Sequence, residues 1–205
     1  MKQAELDAFG VSRETAAKLR EFMALLQRWN ARINLVADHD ETTLWQRHVL
    51  DSLQLVPLLP PGDAPLVDLG SGAGFPGLML ALVTDRETHL VEADRRKSIF
   101  LTEAARILGL PRVTVHTARI DAATLPPAAV LTARALAPLR DLLPYAHRIL
   151  APKGVAIFPK GRNAEQELTE AAVGWIMTTE RFPSRTDPQA TLLRLSEIHP
   201  AGIHA

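Results

Sequence analysis

Asp68-Leu69-Gly70-Ser71-Gly72-Ala73-Gly74-Phe75-Pro76-Gly77 decides the fold of this chain. It follows the apolar run Pro65-Leu66-Val67 and precedes Leu78-Met79-Leu80-Ala81-Leu82-Val83. A short apolar run, a glycine-rich turn and a longer apolar run read as strand, tight turn and helix. Glycine lets the backbone turn sharply and approach a ligand with no Cβ in the way. The first amides of the helix and the carboxyl end of the strand then make a nucleotide-sized crevice.

Downstream, short strands alternate with helices. Strands are expected at 65–69, 88–92, 112–116, 130–133 and 155–159, with helices near 77–84, 95–108, 138–150 and 163–172 between them. A last pair of strands is expected at 175–182 and 191–198. Such interleaving predicts a mostly parallel sheet covered on both faces. Upstream the chain reads as helical. Ser12 is placed to cap a helix whose Leu19, Phe22, Leu26, Trp29 and Ile33 recur at three- and four-residue steps. A further helix is expected from 40 to 56, with Trp45, Val49 and Leu53 on one stripe, before Pro57, Pro60, Pro61 and Gly62 break it. The expected division is a helical extension over 1–62 and a Rossmann-like α/β domain over 63–205.

Composition narrows the function classes. The 205 residues carry 23 basic and 23 acidic side chains, so any contact with nucleic acid must come from local patches. Cysteine is absent, which excludes disulfides, thiolate nucleophiles and cysteine-held zinc. No metal site is expected. No apolar run approaches the ~20 residues of a membrane helix, and the N-terminus lacks a signal-peptide core. A cytoplasmic location is expected.

Gly72-x-Gly74-x-x-Gly77 matches a dinucleotide fingerprint literally, a weak signal alone. Asp68, two residues before Gly70, argues for a sulfonium cofactor with an ammonium group, because a pyrophosphate would be repelled. The motif also follows a long helical segment, and too little chain remains for a separate substrate domain. Glu92, ending the second strand, is placed to accept from both ribose hydroxyls. Asp121, after the third strand, either faces an adenine amine or caps a short helix. Arg134 lies beyond the fourth strand, at the edge where ligands bind. Together these features point to the Rossmann-like class I fold of S-adenosylmethionine-dependent methyltransferases.

The methyl acceptor is narrowed by elimination. Carbon-5 cytosine methylation normally uses a cysteine, which is missing. Exocyclic amine methylation typically uses Asp/Asn-Pro-Pro-aromatic after the fourth strand, where this chain has Ala133-Arg134-Ala135-Leu136-Ala137-Pro138. A ring nitrogen, an oxygen or a small molecule remains.

Separated motifs then carry a resemblance. They are Trp29-Asn30 with Ile33-Asn34-Leu35, Arg47-His48-x-x-Asp51-Ser52-Leu53, and the glycine run with Phe75-Pro76-Gly77. Arg96-Lys97-x-x-Phe100-Leu101, Thr132-Ala133-Arg134-Ala135 and Lys160-Gly161 follow. Over about Trp29 to Gly161 the chain resembles the 16S rRNA (guanine-N7)-methyltransferase family, RsmG or GidB. The resemblance implies a target at N7 of the guanosine numbered 527 in 16S rRNA. The resemblance implies S-adenosylmethionine contacts at Gly70, Phe75, Ile120, Asp121 and Arg134, beside Glu92, Asp68 and Gly72 from the general fold. Family members often have Ala-Glu at Ile120-Asp121 and a serine at Ala93, and many carry a longer basic tail.

Guanine N7 bears a lone pair and no proton, so no catalytic proton acceptor is expected. Arg95, Arg96, Lys97, Lys160, Arg162, Asn34 and His48 are the candidates for RNA contact. His48, Asp51 and Ser52 share a helix face by spacing, and either fasten the helical extension to the sheet or touch RNA or cofactor. The expected partner is 16S rRNA within a 30S subunit or assembly intermediate, met by a monomer with no stable protein partner. The competing expectation is a small-molecule methyltransferase whose N-terminal helices form a lid.

Overall fold

The computed structural model describes residues 6–7, 9–37 and 40–202. Helix α1 (Arg13–Asn30) begins where Ser12 Oγ accepts the Thr15 N–H at 3.1 Å. Its stripe of Leu19, Phe22 and Leu26 is buried, and Trp29 and Ile33 pack at the margin of the same core. The second helical segment, α2, is built from three contiguous pieces. Glu41–Leu44 is α-helical, Trp45–Leu50 widens to a π-helix, and Asp51–Leu53 returns to α geometry. The expected stripe of Trp45, Val49 and Leu53 is buried. The widened turn is what the simple three- and four-residue spacing does not anticipate.

From β1 (Leu66–Leu69) the chain runs through α3 (Gly77–Thr84), β2 (Thr88–Glu92), α4 (Arg95–Ile107) and β3 (Val113–Thr117). It continues through β4 (Ala128–Ala133), α5 (Leu139–Ile149), β5 (Leu150–Lys160), α6 (Ala164–Ala171), β6 (Trp175–Pro183) and β7 (Thr191–Pro200). The seven strands lie in the order β3-β2-β1-β4-β5-β7-β6. Strands β1 to β5 are parallel, and β7 inserts antiparallel to both β5 and β6. The mostly parallel Rossmann-like sheet expected from the sequence is therefore present. The strand order reverses between β1 and β4, and such a switch point opens a crevice at the carboxyl ends of the strands.

Two apolar layers flank the sheet. One packs α1 and α2 with Phe75, Leu78, Leu90 and Phe100, and the Phe22 ring meets Phe75 edge-on at 5.5 Å between centroids. The other packs α5 and α6 against the opposite face. The helical extension thus shares a core with the sheet, and Phe75, inside the glycine run, belongs to that shared core.

Candidate functional site

The glycine run folds as the carboxyl end of β1 turns into α3. Gly70, Gly72 and Gly74 all take left-handed backbone angles, with φ of 65°, 54° and 88°. L side chains are strained there. Gly77 is needed for a different reason: a Cβ would come within 2.7 Å of Asp68 and 2.5 Å of Leu90. The loop is tied to β2, since the Gly72 N–H donates to Glu92 Oε2 at 2.8 Å. Glu92 Oε1 accepts from the Asp94 N–H, also at 2.8 Å. Glu92 is therefore braced on both oxygens by backbone amides, while each keeps lone pairs for further donors.

Asp68 lies beneath this turn and not in the cleft wall. It is 1% exposed, and its Oδ1 accepts from Thr132 Oγ1 at 2.6 Å, joining β1 to β4. Oδ2 faces Gly77 without a hydrogen bond. Burial pushes its pKa up to about 6, against the opposing pull of Thr132, Ser71, the Gly77 amide and Arg134. Asp68, expected as a cofactor contact from its position two residues before Gly70, is thus buried behind the cleft wall and does not line it.

Above the turn opens a cleft of about 940 Å³. Gly70, Gly72, Phe75 and Arg134 line it, and so do His48, Lys97 and Lys160. Ile120 and Asp121 stand apart, in a short 3₁₀ turn after β3. There α5 holds them: Tyr145 OH donates to Asp121 Oδ2 at 3.3 Å and Arg148 Nη2 to the Ile120 carbonyl at 3.1 Å. The helix-cap alternative for Asp121 is not realised, since the Ala122 and Ala123 amides bond to the Arg119 carbonyl. Arg95, Arg96, Arg162 and Asn34 are exposed outside the cleft wall.

Arg134 joins the two halves of the molecule. Its Nη1 donates to the Arg47 carbonyl at 2.9 Å and lies 3.5 Å from Asp51 Oδ2. Its Nη2 is 2.9 Å from His48 Nδ1. A guanidinium has only donors, so His48 Nδ1 accepts and the ring is neutral with its proton on Nε2. The imidazole stacks on Phe75 at 5.0 Å, and the guanidinium lies over the same ring at 5.4 Å. Burial lowers the Arg134 pKa while Asp51 and Asp68 raise it. Ser52 Oγ turns back to the His48 carbonyl at 2.6 Å. Through Arg134, His48 and Asp51 fasten α2 to the sheet, Ser52 bonds back within its own helix, and His48 and Asp51 also line the cleft.

Lys160, a candidate for RNA contact, lines the cleft but is buried. Its side chain is 8% exposed, and its ammonium sits 2.8 Å from Glu167 Oε2 and donates to the Ala137 carbonyl at 2.9 Å. The same Glu167 oxygen accepts from Leu139 N–H, so Lys160 and Glu167 join β5 to α6 and the start of α5. Lys160→Met should strand Glu167 and lower stability by about 2 kcal/mol, less than a fully buried pair because Glu167 keeps some access to water. Thermal unfolding would read this as a Tm lower by roughly 4–8 °C.

Several participants escape sequence reading. Asn30 clamps the segment after α1, accepting from the Leu35 and Val36 amides and donating to the Val36 carbonyl. Its place beside Trp29 in a quoted motif was the available signal. The segment 184–190 between β6 and β7 also reaches the cleft. Thr186 Oγ1 donates to Asp51 Oδ1 at 2.7 Å, and the Arg185 N–H donates to Gln54 Oε1 at 2.8 Å. Nothing local in that stretch announces these partners. Among the described residues, no group of three or more His, Asp or Glu side chains could hold a metal, and no helix is long and apolar enough to cross a membrane.

Residues 15–189 match the family model described as GidB, rRNA small subunit methyltransferase G. The match extends beyond Gly161 and takes in most of the 184–190 segment. The chain is 56% identical over 196 residues to ribosomal RNA small subunit methyltransferase G of Rhodospirillum centenum, covering 96% of this chain and 90% of that protein. It is 58% identical over 189 residues to the protein of the same name from Granulibacter bethesdensis, covering 92% and 88%. Among solved structures, the glycopeptide N-methyltransferase MtfA complexed with S-adenosylmethionine superposes with a TM-score of 0.60 at 11% identity, over 72% of this chain and 93% of that one. That likeness is one of fold.

Proposed function

This chain belongs to the GidB family, rRNA small subunit methyltransferase G, and on that footing we propose that it transfers the methyl group of S-adenosylmethionine to N7 of a guanosine in 16S rRNA. The observation that carries the reading is the glycine turn at the strand-order reversal, with braced Glu92 beside it and a cleft of about 940 Å³ above.

The residues present fit the cofactor. Glu92 is held rigidly and retains lone pairs for ribose hydroxyls. No atom lies closer than 3.8 Å to a Cβ built on Gly72, so a ligand can approach the backbone there. The buried Asp68 places negative charge under the turn, which suits a sulfonium and an ammonium and disfavours a pyrophosphate. Gly70, Gly72, Phe75, Glu92 and Arg134 would hold the methionine and ribose portions, with Ile120 and Asp121 at the adenine. When bound, the cofactor supplies a methyl group activated by its sulfonium.

The chain's own work is positioning. N7 carries an in-plane lone pair and no proton, so the acceptor requires no base. Orientation and exclusion of water then carry the rate, and well-aligned reactants can lower a barrier by ~7–11 kcal/mol. The Arg134–His48–Phe75 stack keeps the α2 wall in register with the sheet. Lys97 in the cleft wall and the exposed Arg95, Arg96 and Arg162 are suited to phosphates. The formal net charge of zero suits a target presented by a 30S subunit or assembly intermediate better than naked RNA. We take the working form to be a cytoplasmic monomer. The bonds from Asp51 and Gln54 to the 184–190 segment favour a fixed wall over the lid that a small-molecule enzyme would use.

Incubation with labelled S-adenosylmethionine and 30S subunits from a strain lacking this enzyme should label 16S rRNA. Borohydride reduction and aniline cleavage should then break the RNA at one guanosine. Label entering metabolites but not rRNA would overturn the reading. In the same preparation Glu92→Gln should bind S-adenosylmethionine about tenfold more weakly by calorimetry, the worth of one charge-assisted hydrogen bond.

A further inference from the structure

We propose that Asp187 reads the Watson–Crick edge of the target guanine, accepting from N1–H and the exocyclic amine, and so sets the base specificity of the reaction. The assignment rests on the function proposed above.

The chemistry defines what is needed. Methylation at N7 brings the imidazole side of guanine to the methyl group and leaves N1–H and the 2-amino group on the far edge. Those adjacent donors distinguish guanine from adenine, whose N1 is an acceptor. A splayed-out base is read on that edge by groups lining the pocket. A carboxylate, with two acceptor oxygens and about four lone-pair sites, matches both donors.

Topology says where such a group must stand. The order reversal assigns the glycine turn and β2 to the cofactor side, leaving β4, β5 and β7 to the acceptor side. At the carboxyl edge of the acceptor side, Lys160 at the end of β5 and Pro183 at the end of β6 both pair with Thr191. The 184–190 segment therefore rises beside the end of β5, and Asp187 within it lines the cleft.

Elimination singles Asp187 out. Three carboxylates line the described cleft: Asp51, Glu167 and Asp187. Asp51 is committed to Arg134, Gln54 and Thr186. Glu167 is committed to Lys160 and the Leu139 amide. Asp187 is exposed, and among the described residues only its Oδ1 is engaged, accepting the Gln189 N–H at 2.9 Å. Its backbone is nonetheless fixed: its N–H bonds to Ser184 Oγ and its carbonyl to the Ala190 N–H. Thr186 anchors the same turn to Asp51. Asp187 is thus a positioned, charged acceptor with capacity to spare, on the side of the cleft where the base must enter.

The test compares 30S subunits carrying guanosine or inosine at the target, inosine lacking only the 2-amino group. The unaltered protein should lose about 10- to 100-fold in kcat/KM on inosine, the worth of one hydrogen bond to a charged group, since inosine keeps N1–H. Asp187→Asn should lose a similar factor on guanosine, and its guanosine-to-inosine ratio should fall towards one. Asp187→Ser, which keeps an oxygen for the Gln189 amide, should behave alike. Both should retain the S-adenosylmethionine affinity and Tm of the unaltered protein, which a merely structural role for Asp187 would not allow. If the unaltered protein methylates guanine N7 but both variants keep its kcat/KM and its discrimination, the assignment is overturned while the function stands. If the unaltered protein fails to methylate guanine N7, the functional reading falls and the assignment with it.

Discussion

Arg134→Ala should leave a folded protein whose methyl transfer falls by about 10²–10³-fold, because even a 1 Å misplacement of aligned groups costs about 10²-fold. The guanidinium bonds the Arg47 carbonyl, His48 Nδ1 and Asp51 while covering the Phe75 ring. Alanine leaves these acceptors facing one another across the seam between α2 and the sheet. Folding should survive, since α2 keeps its bonds from Asp51 and Gln54 to the 184–190 segment and its apolar stripe in the core. Removing one partner of a buried pair costs about 3–5 kcal/mol, and the remaining partners of Asp51 should hold the loss to about 2–3 kcal/mol. Calorimetry should show weaker S-adenosylmethionine binding. Arg134→Lys should recover little, because an ammonium cannot present the planar fork that spans these three acceptors. Unchanged cofactor affinity and turnover in the alanine variant would remove Arg134 from the site.

Asp68→Asn should stabilise the protein at neutral pH while weakening its site. The native carboxyl titrates near 6, against an ordinary value of 3.8, because burial disfavours its ionised form. The native state therefore holds this proton more tightly than the unfolded chain does. The stability so conferred is complete below pH 3.8 and is lost as pH rises through about 6. Above that, ionised Asp68 costs about 3 kcal/mol relative to the protonated form. Asparagine keeps an oxygen for Thr132 and removes the titration. Denaturant unfolding at pH 7.5 should show the variant more stable, and its stability should vary less than the native protein's between pH 4 and 6. Its affinity for the cationic cofactor should fall, and the rise in native affinity as pH passes 6 should disappear. Parallel stability profiles for the two proteins would refute a raised pKa at Asp68.

These two residues show how far the chain could be read in advance. Asp68 and Arg134 are both legible in the sequence as candidates, from their places at the carboxyl ends of β1 and β4; Arg134 lines the cleft and Asp68 is buried under the turn. Their partners are not legible there. Arg134 meets residues more than eighty positions earlier, and Asp68 meets Thr132 in a strand that pairs with its own only in the sheet. Lys160, a candidate for RNA contact, is paired with a carboxylate of the following helix. Ile120 and Asp121 were located correctly after β3, but their attachment to Tyr145 and Arg148 depends on how α5 packs.

The strand–turn–helix unit, the alternation of strands and helices and the stripe on α1 are all set by residues near one another in the chain. The motifs that carry the family are likewise legible in it. Those signals are local: glycine tolerance of positive φ, apolar periodicity and capping act within a few residues, so order along the chain suffices to read them. Tertiary structure alone decided that Asp68 lies under the turn and that α2 is bolted to the sheet through Arg134. It also decided that the 184–190 segment completes the cleft. Each of these is a charge or hydrogen bond satisfied across the fold. Which buried donor finds which acceptor depends on packing between elements distant in sequence, and not on the spacing of residues along any one of them.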